Sequence, residues 1–460
     1  MKPRRNKLSN IRDRSANRRF QFVPQRLISN IDKFITLERI RNYSIIFVVI
    51  GALMATGDSI FRVGHPAVRG AFLPDYLAHW TGGKLIYLGQ ATSLFDPASQ
   101  QTVQDSVLGP TTFFSWFVSL PVVAALYAPL AAVNYNLSAA IWLILNVALL
   151  IWCVRSLEPF APRLYRHHRK LVFLAVLASA PVLELIGCGQ DTAFMLAVWL
   201  MGIRLLTTSH QAAAGAVFGL AVLKPQLAIL IPFVLLFTRR YKALAAFTLV
   251  AVVLVGASTL LVGPNGMRQW IATISSPLFT DLVQHGQAWK MTSIPAFIVS
   301  IAPPVAAAWL AANLTWLSFG AGLIVIGIIL RRNHAPRLDP QTLWVATLAT
   351  TLVCSSHLLL YDAVLFLPVV LFVLERRPSA YTRVMVLAAF ALTVVSNVIH
   401  MATASLIWPL SITGAPWSAL PLAALGLESI RIVRSRFKAP PAAPVALSTP
   451  PPASPAHRPA

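Results

Sequence analysis

Apolar residues in this chain come in long blocks, without the alternation of a half-buried strand or the three-to-four rhythm of an amphipathic helix. Tyr43 to Phe61, Ser138 to Val154, Tyr241 to Val262 and Pro304 to Leu330 fall in or above the range of roughly 17–25 residues that carries a helix through a bilayer core. Further blocks, each bounded by a polar break, run from Lys170 to Gly187, Asp191 to Leu206, Leu343 to His357, Leu359 to Leu374, Thr382 to Ile399 and Ala415 to Ile432. Ala212 to Phe237 is interrupted by Lys224-Pro225. Proline removes a helical hydrogen bond and disfavours helix at the residue before it, so this block predicts two half-helices meeting at Lys224. The pattern predicts an all-α, polytopic integral membrane protein of about twelve transmembrane helices.

Composition agrees with that reading. Of 460 residues, 57% are hydrophobic and only 12% charged, which excludes an ordinary soluble domain and a disordered chain. The formal charge of +23 would suit a nucleic-acid binder in another setting. Here the cations sit between apolar blocks, which is the positive-inside pattern and implies membrane lipids as neighbours, with no nucleic-acid partner. Residues 1–42 hold twelve Lys/Arg against Asp13, Asp32 and Glu38 and form a basic cytoplasmic leader. Cationic runs recur at Arg155 to Lys170, Arg239 to Lys242, Arg331 to Arg337, Glu375 to Arg383 and Arg431 to Lys438, each marking a cytoplasmic turn. Both termini are then cytoplasmic, with a first outer loop over about 62–136 and a second over about 263–293 inside a membrane domain of 43–437. Thr112 to Val133 is placed on or dipping into the outer leaflet. The Pro/Ala-rich tail 438–460 is expected to be disordered. Three cysteines, Cys153, Cys188 and Cys354, give neither a disulfide framework nor a metal cluster.

Fifteen carboxylates can be sorted by side. Asp13, Asp32, Glu38, Glu158, Asp339, Glu375 and Glu428 fall on the cytoplasmic side beside basic residues and read as solvated surface. Asp58, Asp75, Asp96, Asp105, Glu184, Asp191, Asp281 and Asp362 fall outside, so the functional face is outward. In the first outer loop Asp75, His79 and Gly82 or Gly83 share a helical face by spacing, and Asp75 has a competing reading as a helix N-cap after Pro74. Asp191, after Gly189-Gln190, has the same competing reading. Lys224, flanked by Leu223 and Pro225 within an apolar block, needs a partner, because an ionisable group at membrane depth costs at least ~2.5 kcal/mol; an anion in an outward cavity is the economical one. His357 and Tyr361 also fit ordinary helix-end groups, whereas Asp362 sits inside an apolar run. His285 and Lys290 share the second outer loop with Trp289.

These residues, in this order, resemble glycosyltransferase family 87, a branch of the GT-C superfamily of polyprenyl-phosphate-sugar-dependent membrane enzymes. The marks are Asp75-Tyr76 with Gly89 and Phe95-Asp96-Pro97, Tyr127-Ala128-Pro129-Leu130, Gly189-Gln190, Lys224-Pro225-Gln226, and His357 with Tyr361-Asp362. They span Tyr43 to Leu374, and Tyr127-Ala128-Pro129 matches the family's tyrosine-proline-proline only in part. The resemblance implies a plasma-membrane enzyme (bacterial inner membrane) with its active site on the outer, periplasmic face. It would move a sugar, mannose by family default, from a polyprenyl-phosphate donor to a glycan or glycolipid acceptor. It places the catalytic carboxylate at Asp75, with Asp191 in reserve. Lys224 would hold the donor phosphate, and Gln190, His285, His357 and Asp362 would contact sugar or phosphate. One carboxylate suffices for inversion because phosphate leaves without a proton donor. No metal or other cofactor is required on this reading. Rival classes are a twelve-helix secondary transporter and a non-catalytic lipid-binding relative.

Overall fold

The computed structural model describes residues 24–65, 70–110, 114–279, 286–331 and 339–435. The basic leader to residue 23, Asp281, His285, the cations after Arg331 and the Pro/Ala-rich tail lie outside the described residues. Apart from short 3-10 turns and one antiparallel bridge, Met291 to Leu359, regular structure among the described residues is α-helical. In chain order the helices are α1 (Gln25–Asp32), α2 (Leu37–Gly64), α3 (Pro74–Tyr87), α4 (Pro97–Leu108), α5 (Pro121–Tyr127), α6 (Tyr135–Ser156), α7 (Pro162–Leu177), α8 (Ala180–Cys188) and α9 (Thr192–Thr207). They continue as α10 (Gln211–Gly219), α11 (Ile231–Phe237), α12 (Tyr241–Ile274), α13 (Ile294–Ile301), α14 (Pro304–Arg331), α15 (Pro340–Val353), α16 (Leu367–Arg376), α17 (Ala380–Thr403) and α18 (Ala419–Ser435).

Five helical stretches are long and apolar enough to cross a membrane: Leu37–Gly64, Tyr135–Phe160, Tyr241–Ile274, Trp309–Leu330 and Ala380–Thr403. The pair α7 and α8, bent by 54°, makes a sixth. The protein is thus an all-α membrane protein, but in place of twelve continuous spans it has long helices around shorter ones. Helices α9, α15, α16 and α18 have 16, 14, 10 and 17 residues. At about 1.5 Å per residue these fall short of a bilayer core of about 30 Å. Burial explains why they read as spans. Thr342 to Leu352 of α15 are all buried, whereas Leu53, Met54 and Ile60 of α2 are 68–71% exposed, as a lipid-facing surface requires. An interior helix and a lipid-facing one are equally apolar in sequence.

The described residues of the segment 62–136 fold onto the bundle instead of looping away from it. Helix α2 runs on to Gly64, and Leu73, Tyr76, Leu77, Trp80, Leu85, Phe95, Phe117 and Tyr127 make a separate core. Two glutamines of α4 secure the extended stretch beside it: Gln100 accepts from Phe117 N (3.0 Å), and Gln104 accepts from Ser115 N (2.9 Å). Asp96 caps α4 by accepting from Ser99 N at 3.0 Å. Within Thr112 to Val133, α5 has seven residues, about 10 Å, too short to cross. It lies against α3, where a Cβ on Gly83 would come 2.7 Å from the Tyr127 carbonyl carbon, so only glycine permits the approach. The expected second outer loop is partly helical as well. Helix α12 kinks at Gly263 (φ 72°) and resumes through Pro264 to Ile274.

Three carboxylates expected as solvated surface are paired instead. Asp32 receives two hydrogen bonds from Arg383 (2.7 and 2.6 Å). Glu375, buried, receives Arg163 Nε (2.6 Å) and the amides of Arg163 and Leu164, closing the first turn of α7. Glu428, also buried, is held by Arg377 (2.9 Å) and Arg431. Each partner arginine except Arg431 is far away in sequence, which is why adjacency missed the pairing.

Candidate active site

Helix α6 separates this basic end from the candidate site. Its last turn leads to Glu158 and Arg163, while at its start, 22 residues or about 33 Å away, Tyr135 Oη donates to the carbonyls of Phe72 (2.5 Å) and Leu73 (2.9 Å). Several breaks in regular structure converge here. Leu73 precedes α3 in the left-handed region (φ 54°), a strain of roughly 1–2 kcal/mol that burial and the Tyr135 bond hold in place. Gly189 ends α8 at φ 74°, and a Cβ there would lie 2.8 Å from Leu73 Cβ and 3.0 Å from Tyr76 Cβ. Both its backbone and its missing side chain are therefore required. Trp142 Nε1 donates to Gly189 O (2.7 Å) and Asn146 Nδ2 to Gln190 O (2.5 Å), fixing the turn. At the third break Lys224 stands outside helical geometry (φ −135°, ψ 74°) between two 3-10 turns, as Lys224-Pro225 predicts.

The side chains from these breaks meet. Gln190 Nε2 donates to Asp75 Oδ2 at 2.8 Å, and its Oε1 accepts from Lys224 Nζ at 3.4 Å. Lys224 Nζ also lies 2.6 Å from Asp191 Oδ1, 3.2 Å from Thr192 Oγ1 and 3.6 Å from Asp362 Oδ1. Thr192 Oγ1 donates to Asp362 Oδ1 at 2.5 Å. His79, one turn after Asp75, stacks on Tyr127 (centroids 4.8 Å, 10°), with Nε2 4.0 Å from Asp191 Oδ2. The buried Nδ1 atoms of His79 and His357 have no hydrogen-bond partner among the described residues.

This geometry decides the competing readings. Asp75 is the second residue of α3, not its N-cap, and its carboxylate turns to Gln190 rather than to a backbone amide. Asp191 occupies the N-cap position of α9 but makes no side-chain cap bond, its carboxylate going to Lys224. Lys224, which has no acidic residue near it in sequence, has two carboxylates within 4 Å. Against its single positive charge stand Asp191 and Asp362. Gln190 bridges base and lysine, and Asp362, 2% exposed, is held by Thr192. Thr192 and Asn146 carry no sequence signal that singles them out, Thr192 being legible only as the neighbour of Asp191, whereas Tyr127 is marked only by the Tyr127-Ala128-Pro129-Leu130 resemblance.

Electrostatics divide two groups of α3 that lie one turn apart. Burial raises the Asp75 carboxyl above its ordinary value, opposed by the Gln190 hydrogen bond. Burial lowers the His79 imidazole, so it is neutral near pH 7 and keeps one nitrogen as an acceptor. Among the described residues no group of three His, Cys, Asp or Glu side chains is arranged to hold a metal ion.

Residues 117–368, more than half of the chain, match the model of glycosyltransferase family 87. The matched stretch contains Gln190, Asp191, Lys224, His357 and Asp362 and begins after Asp75, so it is shorter at both ends than the span of sequence resemblance. No curated protein and no solved structure matches the chain. With an all-α membrane fold, a polar cluster built at three helix breaks and a family match over most of that cluster, the chain belongs to glycosyltransferase family 87 and is a membrane-embedded sugar transferase.

Proposed function

We propose that the protein transfers a sugar from a polyprenyl-phosphate donor to an acceptor hydroxyl, with inversion, on the outer face of a bacterial inner membrane. The observation that carries the reading is Asp75. It is a half-buried carboxylate at a strained helix start, with Oδ2 held by Gln190 and Oδ1 receiving no hydrogen bond among the described residues. In the reaction Oδ1 takes the proton of the acceptor hydroxyl while that oxygen attacks the anomeric carbon. The bond from that carbon to the phosphate oxygen breaks from the opposite face, and phosphate leaves with the electron pair. A single displacement of this kind inverts the centre, and a raised carboxyl is a better-matched base than an ordinary one.

In this reading Lys224 acts by orientation. As a donor only, it holds the oxygen of the Gln190 amide and thereby points the NH2 group at Asp75. Asp191 is occupied by Lys224, which leaves it second to Asp75 as the base. His357 and His79, each with a nitrogen that has no partner among the described residues, contact the sugar. The shorter helices complete the passages between the two ends, giving about twelve passes with both termini cytoplasmic. The test is transfer by purified protein from polyprenyl-phosphate donors carrying different sugars, mannose first, to extracted membrane glycolipids. Solute uptake in liposomes without any transfer would instead identify a transporter.

A further inference from the structure

A second lysine lies near Asp75, and its circumstances are the reverse of those of Lys224. Lys290 is exposed, and among the described residues no acidic side chain lies within ion-pair distance of it. Its charge nevertheless acts on Asp75. The segment that carries it is fixed: Met291 pairs with Leu359 in the isolated bridge and Thr292 N donates to Leu358 O at 2.8 Å, which sets Lys290 next to the segment leading to Asp362. Its ammonium is 5.0 Å from the Trp289 ring, and Trp289 stacks on His400 of α17 (4.1 Å, 10°).

Trp289 and His400 also border a cavity of about 500 Å³, enclosed by Val299 and Ser300 of α13, Pro304 and Ala307 of α14, and the turn at 411–415. The surface around it is apolar and exposed. Val305 is 93% exposed, Ile407 81% and Met401 76%, as expected of groups facing lipid tails. A largely apolar cavity with exposed apolar side chains around it, the Lys290 ammonium beside the Trp289 ring that borders it and the charge of Lys290 reaching Asp75, fits an amphiphile with one anionic head. The charges favour this place over Lys224. With Asp75, Asp191 and Asp362 ionised and Lys224 protonated, the inner cluster carries a net charge of −2, which repels a phosphate.

The geometry points to Lys290 as the residue that receives the phosphate of the lipid-linked donor, with the adjoining cavity holding the start of its isoprenoid chain. This rests on the lipid-phosphate donor proposed above. It assigns to Lys290 the discrimination of the donor's charged head and to α13, α14 and α17 the discrimination of its tail.

The experiment measures binding of radiolabelled polyprenyl monophosphate, which carries no sugar, to the purified full-length protein in detergent, alongside steady-state transfer. Lys290→Glu and Lys290→Ala should weaken binding at least 10-fold and raise the donor KM to match, with kcat within about 3-fold, while Lys290→Arg stays near wild type because the charge is kept. Ala307→Trp, which fills the cavity, should weaken binding of the polyprenyl compound to a similar degree. Thermal melting confirms that each variant is folded. Binding by Lys290→Glu at wild-type affinity overturns the assignment. So does competition by phosphatidic acid or inorganic phosphate as effective as that by polyprenyl phosphate, since it would mark a general anion site. Binding of polyprenyl phosphate that depends on Lys290 but without sugar transfer from any donor would leave this site standing and remove the proposed reaction instead.

Discussion

The two ends of the helix bundle use the same residue types to opposite effect. At the basic end Asp32, Glu375 and Glu428 are each closed by arginine, and Glu375 by two backbone amides as well. The Arg383 hydrogen bonds push the Asp32 carboxyl below its ordinary value. For Glu375, burial acts upward but is outweighed by Arg163 and the amides, so its carboxyl is also lowered. At the other end, among the described residues, Asp75 has one neutral donor and a raised carboxyl, Asp191 and Asp362 share one lysine, and two histidines keep a buried nitrogen unpaired. Satisfied groups contribute to stability, whereas unspent hydrogen-bonding capacity in a native interior needs a reason, and a substrate supplies one.

The sharpest way to break this contrast is Lys224→Ala. If the lysine balances Asp191 and Asp362, its removal leaves two poorly solvated carboxylates unpaired and destabilises the protein by about 3–5 kcal/mol. Adding Asp191→Asn should recover part of that loss. Thermal melting of the single and double variants decides it, and a lysine whose loss leaves stability unchanged would not be the hub of the cluster.

Asp75→Asn should separate the two ends by activity. Turnover falls by about 10² or more, since asparagine cannot accept a proton. Stability moves the other way. The folded-state pKa of Asp75 is raised, so its contribution is favourable at low pH and is lost as pH rises from the ordinary carboxylate value through the raised one. The amide should therefore melt at the same or a higher temperature at pH 7. The same shift predicts that the wild-type rate rises with pH through a value above 3.8, with that limb absent in the residual activity of the variant. If Asp75→Asn turns over normally while Asp191→Asn is inactive, the base is Asp191.

Much of the candidate site was legible because its residues sit where helices must break. Lys224-Pro225 announces a break by proline stereochemistry, Gly189 by the turn it permits, and Asp75 by its place after Pro74. What joins them was not legible. Lys224 meets Asp191 and Asp362 only through tertiary packing, and nothing in the neighbouring sequence marks either carboxylate as its partner. Fold class was legible from apolar blocks, but the division between long lipid-facing helices and short interior ones was not, because both are selected for the same apolar residues. Surface charge misled for a related reason: a glutamate beside arginines, as in Glu375-Arg376-Arg377, reads as solvated, yet its carboxylate turns inward to α7.

Glu375→Gln tests that inward turn. Losing a charge-assisted bond to Arg163 and the favourable placement at the start of α7 should cost about 1–3 kcal/mol, with transfer per folded molecule unchanged. Because the folded pKa of Glu375 is depressed, the contribution is complete above its ordinary value of 4.5 and is lost as pH falls through the lower folded value. Melting curves of wild type and variant should therefore converge on acidification. Divergence would mean that packing of the side chain, not its charge, sets its contribution.

The smallest effect is expected at Asp32, whose bidentate pair with Arg383 ties the short helix α1 to α17. The geometry is good, but Arg383 is 39% exposed, so water and salt screen the attraction. Asp32→Asn should cost no more than about 1 kcal/mol, and raising the salt concentration should shrink the difference from wild type. Transfer should be unaffected, because the full length of the bundle separates this pair from Asp75. Measured beside Asp75→Asn, it gives the comparison its cleanest form: one carboxylate whose loss lowers stability slightly and leaves turnover intact, and another whose loss abolishes turnover and leaves stability intact. A drop in turnover at Asp32→Asn comparable to that at Asp75→Asn would mean that the two ends are mechanically coupled, and the division of labour drawn between them would fail.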